Sequence, residues 1–314
     1  MFMLELHLDP EDDLTKILNS VKGPATIYLK SGVYYQKVEV RADDVKIIGE
    51  NRETTIIRYD DYARKIHADG QEYNTFRTYS LLIAGERVEL ENLTVENSNT
   101  DPKNVGQCVA LSVNARNFSA KNCDLKSTQD TLFCFPFPDD LVVRYADFLP
   151  RHQLYLEGTS LHLFENCRIY GSVDFIFGGA EAYFKDCEII SVSDSRVTGY
   201  IAAPCHHLTQ AHGLTFVNCD IRSEGAEDNT VFLARPWRDF GKSTFINCRL
   251  GKHVRPELFD KWNDTARDRT ARFTYYGLDC ESEISPVKWS RELSPAEASE
   301  IISRCEQCFK GKKA

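Results

Sequence analysis

The sequence lacks the features that mark several common classes of protein. Lysine and arginine total 38 against 47 aspartates and glutamates, which gives a net charge of −9 and argues against a basic surface for nucleic acid. The first residues, Met1–Asp9, hold neither a basic segment nor a long apolar run. We therefore expect no signal peptide, no membrane span and no nucleic-acid partner. The expected location is the cytoplasm, or outside the cell if a leader has been removed.

The cysteines do not form a disulfide framework. Their number, eleven, is odd, and most lie in apolar runs that resemble strands, which indicates reduced, buried thiols. A single Cys-x-x-Cys, formed by Cys305 and Cys308, has no second pair at the spacing of a zinc site. The sequence also lacks a cluster of carboxylates typical of calcium sites. We expect no metal and no other cofactor.

A short pattern recurs along the chain and predicts its architecture. An apolar residue, any residue and Asn or Asp are followed by an apolar residue, any residue and an aliphatic residue. The copies are separated by 30, 44, 20, 32 and 29 residues, a period typical of solenoids. Inward and outward positions alternate on either side of the Asn and break phase across it, as a left-handed corner requires. The six corner residues are Asn92, Asn122, Asn166, Asp186, Asn218 and Asn247.

Stacked coils with one such corner each form a right-handed parallel β-helix. In this all-β fold the corner residues, and the Phe and Cys residues near them, stack at the strand spacing of about 4.8 Å. The alternative is a β-sandwich with regularly spaced hairpins, but the hairpin dipeptide Asn-Gly is absent. We interpret residues 1–314 as a single β-helix domain.

Helices at both ends are expected to cap the solenoid. Apolar residues at helical spacing predict short helices over residues 10–21 and 295–309. The second helix should cover the outward side chains of Val217 and Ile246, which would otherwise be exposed. Three parts of the domain therefore depart from the repeat, namely an N-terminal cap at 1–24, an inserted loop at 134–157 and a C-terminal tail at 290–314.

Two carboxylates occupy equivalent places in the repeat. Asp130 lies eight residues after the corner Asn122, and Asp174 lies eight residues after the corner Asn166. If residues 134–157 form a loop, these corners belong to neighbouring coils and the carboxylates lie one strand apart, roughly 5 Å at the backbone. Carboxylates this close repel, so one pKa rises and the other falls. Such a pair can hold an acid beside an ionised base or nucleophile.

Four motifs resemble, in the same order, those of the pectin methylesterase (pectinesterase) family. The resemblance covers most of residues 25–290, and the segment Gly199–Pro204 looks like a bacterial variant of a late coil of that family. It implies the same parallel β-helix. The four motifs are Gly106-Gln107, Gln129-Asp130-Thr131-Leu132, Val173-Asp174-Phe175-Ile176-Phe177-Gly178 and Arg235-Pro236-Trp237.

The resemblance implies a carboxylic ester hydrolase that removes methyl groups from methyl-esterified galacturonan, either pectin or its oligomers. It places Arg235 on Asp174, which keeps that carboxylate ionised as the nucleophile. Asp130 is then the acid that protonates methanol and the base that activates water. The amides of Gln107 and Gln129 would stabilise the oxyanion. Contacts with the sugar are expected from Ser80, Phe177 and Trp237.

Local geometry must change for this site to form. Gln129 and Asp130 are adjacent, so their side chains face opposite sides of a regular strand, and both reach one site only if the strand bends or bulges. The inserted loop 134–157 interleaves aromatic residues with prolines. It either walls the substrate cleft, or packs elsewhere or forms an oligomer contact. A capped β-helix can be monomeric, and we expect a monomer.

Two other functions compete with the esterase. A glycosidase on the same fold would release new reducing ends rather than methanol. A carbohydrate-binding solenoid without activity predicts the loss of a catalytic residue, whereas all five matched catalytic positions keep their residue types. The glycosidase hypothesis depends on fragments that resemble a polygalacturonase pattern, namely Asn99-Thr100-Asp101, Asp139-Asp140 and His212-Gly213.

Overall fold

Each coil of the chain contributes one strand to each of three parallel sheets. The computed structural model describes residues 4–99, 106–154, 159–193, 196 and 198–311. Within these residues the chain passes from sheet 1 to sheet 2 to sheet 3 and then returns to sheet 1 beside the previous coil. This winding is a right-handed parallel β-helix and confirms the prediction from the repeat. The sandwich alternative is wrong, because its sheets would be antiparallel.

The bounds of the strands are as follows. Sheet 1 contains β1 (Leu4–Leu8), β2 (Ala25–Leu29), β5 (Val45–Gly49), β8 (Val88–Glu91), β11 (Asn117–Lys121), β14 (Leu161–Glu165), β17 (Glu181–Lys185), β20 (Leu214–Val217), β23 (Lys242–Ile246), β25 (Arg272–Tyr276) and β27 (Arg291–Glu292). Sheet 2 contains β3 (Gly32–Tyr35), β6 (Thr55–Tyr59), β9 (Thr94–Asn97), β12 (Asp124–Lys126), β15 (Arg168–Gly171), β18 (Glu188–Val192), β21 (Asp220–Glu224), β24 (Arg249–Leu250) and β26 (Asp279–Cys280). Sheet 3 contains β4 (Val38–Val40), β7 (Leu81–Ile83), β10 (Leu111–Val113), β13 (Leu132–Cys134), β16 (Val173–Gly178), β19 (Gly199–Pro204) and β22 (Val231–Ala234).

The corner between sheets 1 and 2 is left-handed in every coil of the repeat. All six predicted corner residues have φ between 51° and 56°. Asn and Asp tolerate this region better than other residues with a Cβ atom. The corner amides also bond from coil to coil, since Asn122 Nδ2 donates to Asn92 Oδ1 at 3.2 Å and Asn166 Nδ2 donates to Asn122 Oδ1 at 2.5 Å. These corners fix which residues of each coil point inward.

The interior is a stack of like side chains. Phe164, Phe184, Phe216 and Phe245 follow one another with ring centroids 4.7, 4.6 and 4.5 Å apart. That distance is close to the strand spacing, because each ring belongs to a successive strand of sheet 1. The eleven cysteines are free thiols, and nine of them are buried.

A short helix covers the N-terminal end of the solenoid. Helix α1 (Leu14–Ser20) begins four residues later than predicted, because Asp13 caps it by accepting a hydrogen bond from the Lys16 N–H at 3.0 Å. Its apolar side chains Leu14 and Leu18 are buried against the first coils. The first three residues of the predicted N-terminal cap lie outside the described residues.

The inserted segment forms two short helices beside sheet 3. They are α2 (Asp139–Arg144) and α3 (Arg151–Leu154), and residues 155–158 lie outside the described part of the chain. Their apolar side chains join a second core on the outer face of sheet 3, separate from the interior of the solenoid. The insertion therefore covers part of the face that carries the candidate site.

The C-terminal helix covers the outer face of sheet 1. Helix α4 (Pro295–Gly311) starts with a capping box, in which Ser294 N donates to Glu297 Oε2 at 2.8 Å and Glu297 N donates to Ser294 Oγ at 3.3 Å. Val217 lies in one apolar cluster with residues of this helix and Ile246 in another, as predicted. None of the described helices is long and apolar enough to cross a membrane.

Candidate active site

The two aspartates of the repeat meet on the outer face of sheet 3. Leu132 of β13 pairs with Ile176 of β16, so Asp130 and Asp174 are opposite one another on neighbouring coils. The backbone N–H of Asp130 also donates to the carbonyl of Val173 at 3.1 Å. Their exposed fractions are only 8% and 7%. The spacing argument from the sequence is therefore confirmed.

A left-handed backbone at both aspartates lets adjacent side chains share one cavity. Asp130 has a φ of 62° and Asp174 a φ of 49°, conformations that L-residues seldom adopt. The pairing of β16 with β19 shifts in register between Val173 and Ile176. The left-handed φ of Asp130 is the bend that the sequence required, since both Gln129 and Asp130 line the same cavity. Such backbone strain is characteristic of functional sites.

Arg235 donates two hydrogen bonds to Asp174. Its Nε donates to Oδ1 at 2.8 Å and its Nη2 donates to Oδ2 at 2.7 Å. The guanidinium is also enclosed by two aromatic rings, with its carbon 3.7 Å from the ring centroid of Tyr200 and 4.0 Å from that of Trp262. A bidentate pair between stacked rings has little freedom to rotate. Asp174 is therefore held in one orientation.

Burial and charge give the two carboxyl groups different pKa values. Burial raises the pKa of Asp130, the charge of Asp174 raises it further, and the result lies well above the ordinary value. Burial also raises the pKa of Asp174, and the hydrogen bonds and charge of Arg235 reduce this rise without reversing it. The expectation that one of the two pKa values falls is therefore wrong, because both carboxyl groups are buried, but the rise is larger at Asp130. Burial lowers the pKa of Arg235. The hydrogen bonds and the charge of Asp174 raise it by more, so the pKa of the guanidinium lies above its ordinary value. Asp174 thus ionises first, while Asp130 keeps its proton.

Two glutamines present amide groups to the same cavity. Gln107 lies on the coil before Gln129, and the Cys108 N–H donates to the Gln129 carbonyl at 3.1 Å. The side-chain oxygen of Gln129 accepts a hydrogen bond from Arg196 Nη1 at 2.6 Å. The cavity has a volume of about 280 Å³. It is lined by Thr75, Phe76, Gln107, Gln129, Asp130, Leu141, Arg144, Tyr145, Asp174, Phe177, Ala203, Arg235, Trp237, Arg238 and Trp262.

Of the three residues expected to contact the sugar, two reach the cavity and one does not. Phe177 and Trp237 line it and meet edge to face, with ring centroids 5.6 Å apart. The structure contradicts the prediction for Ser80, which is fully buried and whose hydroxyl donates to the Glu96 carbonyl at 2.8 Å. Its side chain turns towards the neighbouring coil instead of the cavity. Thr75 provides a hydroxyl in the cavity lining instead.

A sequence model of the pectinesterase family matches residues 11–137 and 144–300. The chain belongs to the pectinesterase family. Pectinesterase 31 of Arabidopsis thaliana is 31% identical over 287 residues, which are 88% of this chain and 80% of that protein. Pectinesterase QRT1 of the same plant is 28% identical over 294 residues, covering 88% and 68% of the two chains.

Solved structures of pectin methylesterases share the fold. The enzyme PemA from Erwinia chrysanthemi superposes with a TM-score of 0.77 at 22% identity, over 96% of this chain and 95% of that one. The enzyme from Yersinia enterocolitica gives a TM-score of 0.72 at 26% identity, over 90% and 94% of the two chains. The carrot enzyme gives 0.77 at 20% identity, over 94% and 89%.

A short part of the insertion falls outside the match to the family model. The two matched segments leave out residues 138–143, which include most of α2. Asp140 on this helix forms a two-bond pair with Arg238, at 2.9 and 2.6 Å, three residues after Arg235. The helix and the residue that follows it supply Leu141, Arg144 and Tyr145 to the cavity lining. These contacts support the alternative in which the insertion walls the cleft.

Sequence reasoning missed three residues of the site. Tyr200 and Trp262 enclose Arg235, and Arg196 bonds to Gln129. Tyr200 had a sequence signal, since it lies in the late coil that resembles the family. The other two lie in irregular segments between strands, where no periodic pattern predicts the direction of a side chain. Within the described residues there is no group of three or more His, Cys, Asp or Glu that could hold a metal ion.

Proposed function

We propose that this pectinesterase cleaves methyl esters of galacturonan by double displacement, with Asp174 as the nucleophile. The observation that carries this assignment is the buried two-bond contact between Arg235 and Asp174, beside a second carboxyl group that keeps its proton. The guanidinium holds Asp174 ionised and aims it at one point of the cavity. An ionised Asp174 attacks the C6 carbonyl carbon of a methylated galacturonate.

The attack turns the ester into a tetrahedral oxyanion. Gln107 and Gln129 line the cavity with neutral amide groups that can donate to this oxygen. A single well-placed donor of this kind contributes about 3–4 kcal/mol to the stability of the transition state.

Asp130 donates a proton in the first half of the reaction and accepts one in the second half. As the tetrahedral intermediate collapses, the bond between C6 and the methoxy oxygen breaks, and the proton of Asp130 passes to that oxygen to form methanol. The acyl group now forms an anhydride with Asp174. Asp130, now ionised, takes a proton from water as the water oxygen attacks the acyl carbon. Collapse of the second intermediate breaks the bond to Asp174 and leaves a galacturonic acid, which loses its remaining proton to solvent, while Asp130 has regained its own.

Methanol release from methylated pectin and from short methylated oligogalacturonides tests the proposal. The comparison is between the unaltered protein and a folded Asp174→Asn variant, with Asp186→Asn as a control for the same chemical change at an exposed corner. We expect release from the unaltered protein and the control and none from Asp174→Asn. New reducing ends without methanol would support the glycosidase, and binding without any product would support the carbohydrate-binding solenoid.

The arrangement of the fragments gives the glycosidase no support. Asp140 is paired with Arg238 on the insertion, and His212 lines a different cavity under α4. In the fragment Asn99-Thr100-Asp101, the last two residues lie outside the described residues. The fragments that are described are therefore not assembled into one site.

We also propose that the protein is a cytoplasmic monomer. The eleven free thiols support a reducing compartment, where such thiols persist. The helices α1 and α4, which cover the N-terminal end of the solenoid and the outer face of sheet 1, support the monomer. Fractionation of the source cells tests the first proposal, and light scattering coupled to size exclusion tests the second.

A further inference from the structure

The orientation of the Gln129 amide determines whether it helps or hinders the reaction. An amide carries a donor and an acceptor of almost the same shape, and rotation by 180° exchanges them. With the N–H groups towards the substrate carbonyl, the amide stabilises the oxyanion. With the oxygen in that place, two partial negative charges would face each other. Something must therefore hold Gln129 in the productive orientation.

Arg196 has the chemistry to hold it. Its Nη1 donates to Gln129 Oε1 at 2.6 Å, a short hydrogen bond. A guanidinium has only N–H donors and no acceptor, so it can bind the oxygen of the amide but never its NH₂ group. The amide nitrogen of Gln129 is thereby left on the other side of the group. There it is close enough to Asp130 to lower the pKa of that carboxyl group.

We propose that Arg196 is a positioning residue for the ester hydrolysis, which fixes and polarises the Gln129 amide so that its N–H groups serve the oxyanion. This inference depends on the proposed function, because it assigns a partner to one of the two oxyanion donors. A charged donor on the amide oxygen also withdraws electron density from the nitrogen, which makes its N–H groups stronger donors.

The surroundings of Arg196 keep its guanidinium close to the site. Its Nη2 lies 3.5 Å from the hydroxyl of Ser172, two residues before the nucleophile. Arg196 also borders a second cavity of about 250 Å³, formed with Ser172, Gly199 and Thr230 on the side away from Trp237. Its positive charge acts on both Asp130 and Asp174 and lowers the pKa of each. The guanidinium thus faces the reacting groups without lining the cavity that holds them.

A double-mutant cycle with Arg196 and Gln129 tests the inference. Removal of one oxyanion donor costs about 10²–10³ in kcat, and loss of its orientation should cost a part of that. We expect Arg196→Gln to lower kcat by about 10- to 100-fold and to leave KM within twofold, because the interaction is made in the transition state. Arg196→Lys, which keeps a charged donor, should recover part of the rate. In the Gln129→Leu background, Arg196→Gln should have a much smaller effect, limited to the loss of its charge near Asp130 and Asp174.

Control variants separate the possible outcomes. Arg222→Gln removes an arginine that pairs with Glu188 and Glu224 away from the cavity, and it should leave kcat and KM unchanged. A rise in KM at constant kcat would overturn the inference and make Arg196 a substrate-binding cation. Effects of Arg196→Gln and Gln129→Leu that multiply would also overturn it. If Arg196→Gln does not fold, a double-mutant cycle of Arg196→Lys with Gln129→Leu tests the same coupling between the two residues. An unaltered protein without methanol release would instead refute the proposed function, and this inference with it.

Discussion

Replacing the acid of the site should stabilise the protein while it abolishes the reaction. Asp130 is 8% exposed and faces Asp174 across one strand spacing. The variant Asp130→Asn removes the titratable group but keeps the shape of the side chain. Asn also tolerates the φ of 62° at this position at least as well as Asp does. The change therefore isolates the electrostatic cost of a second carboxylate.

The magnitude follows from the distance between the two strands. Two unit charges about 5 Å apart repel by about 3 kcal/mol at an effective dielectric constant of about 20, and Asp130 avoids this repulsion only by keeping a proton that the unfolded chain releases, at a cost of similar size. Nearby Arg235 and Arg196 offset a part of this repulsion. We therefore expect Asp130→Asn to raise the free energy of unfolding by about 1–3 kcal/mol at pH 7. At about 2–4 °C per kcal/mol, the unfolding midpoint would rise by several degrees.

The sign of the pH dependence follows from the raised pKa of Asp130. A carboxyl group with a raised pKa in the folded protein binds its proton more tightly there than in the unfolded chain. Its contribution to stability is complete below the ordinary pKa of about 4. That contribution is lost as the pH rises towards the pKa of the folded protein. The unaltered protein should lose stability over this range, while Asp130→Asn should not.

Thermal unfolding at a series of pH values measures this difference. The gain from Asp130→Asn should be near zero below pH 4 and should grow as the pH rises to neutrality. Asp186→Asn makes the same change at an exposed corner with a φ of 54°, and should give little gain at any pH. An Asp130→Asn variant that is no more stable at pH 7 would refute the reasoning. So would a gain of equal size at pH 4 and pH 7.

Three further predictions concern Arg235, the insertion and the C-terminal helix. Arg235→Lys loses the two-bond grip on Asp174 and raises its pKa, so the acid limb of kcat/KM should move to higher pH and activity at pH 7 should fall at least tenfold. An unchanged pH profile would contradict this. Arg144→Gln should raise KM about two- to fivefold for partly methylated oligogalacturonides and not for fully methylated ones, because its exposed guanidinium attracts free carboxylates. An equal change for both substrates would contradict it. Deleting residues 295–314 exposes Val217 and Ile246 and should lower the unfolding midpoint and the solubility, which an unchanged midpoint would refute.

The repeat could be predicted from sequence because every coil needs the same left-handed corner. A left-handed corner accepts Asn or Asp, and the alternation around it determines which residues face inward. From this alone follow the β-helix, the stacked Phe residues and the equivalent positions of Asp130 and Asp174. The resemblance to the pectinesterase family added the partners Arg235, Gln107 and Gln129, whose positions in the cavity agree with it.

The prediction for Ser80 was wrong because a motif position does not give the direction of a side chain. Its hydroxyl donates to the carbonyl of Glu96 on β9 of the next coil instead of turning towards the cavity. The limits of α1 also depended on a local contact, the cap formed by Asp13, that apolar spacing alone does not reveal.

The repeat pattern predicts the coil, its corners and the two carboxylates that neighbouring coils place side by side. The environment of those carboxylates depends on contacts between parts of the chain that the repeat does not describe. Trp262 and Tyr200 enclose Arg235, Arg196 holds Gln129, and α2 closes over the cavity. These residues are far from the aspartates along the chain or lie in segments without a period. Their contacts arise from the stacking of whole coils and the path of loops between them, which carry no repeating signal.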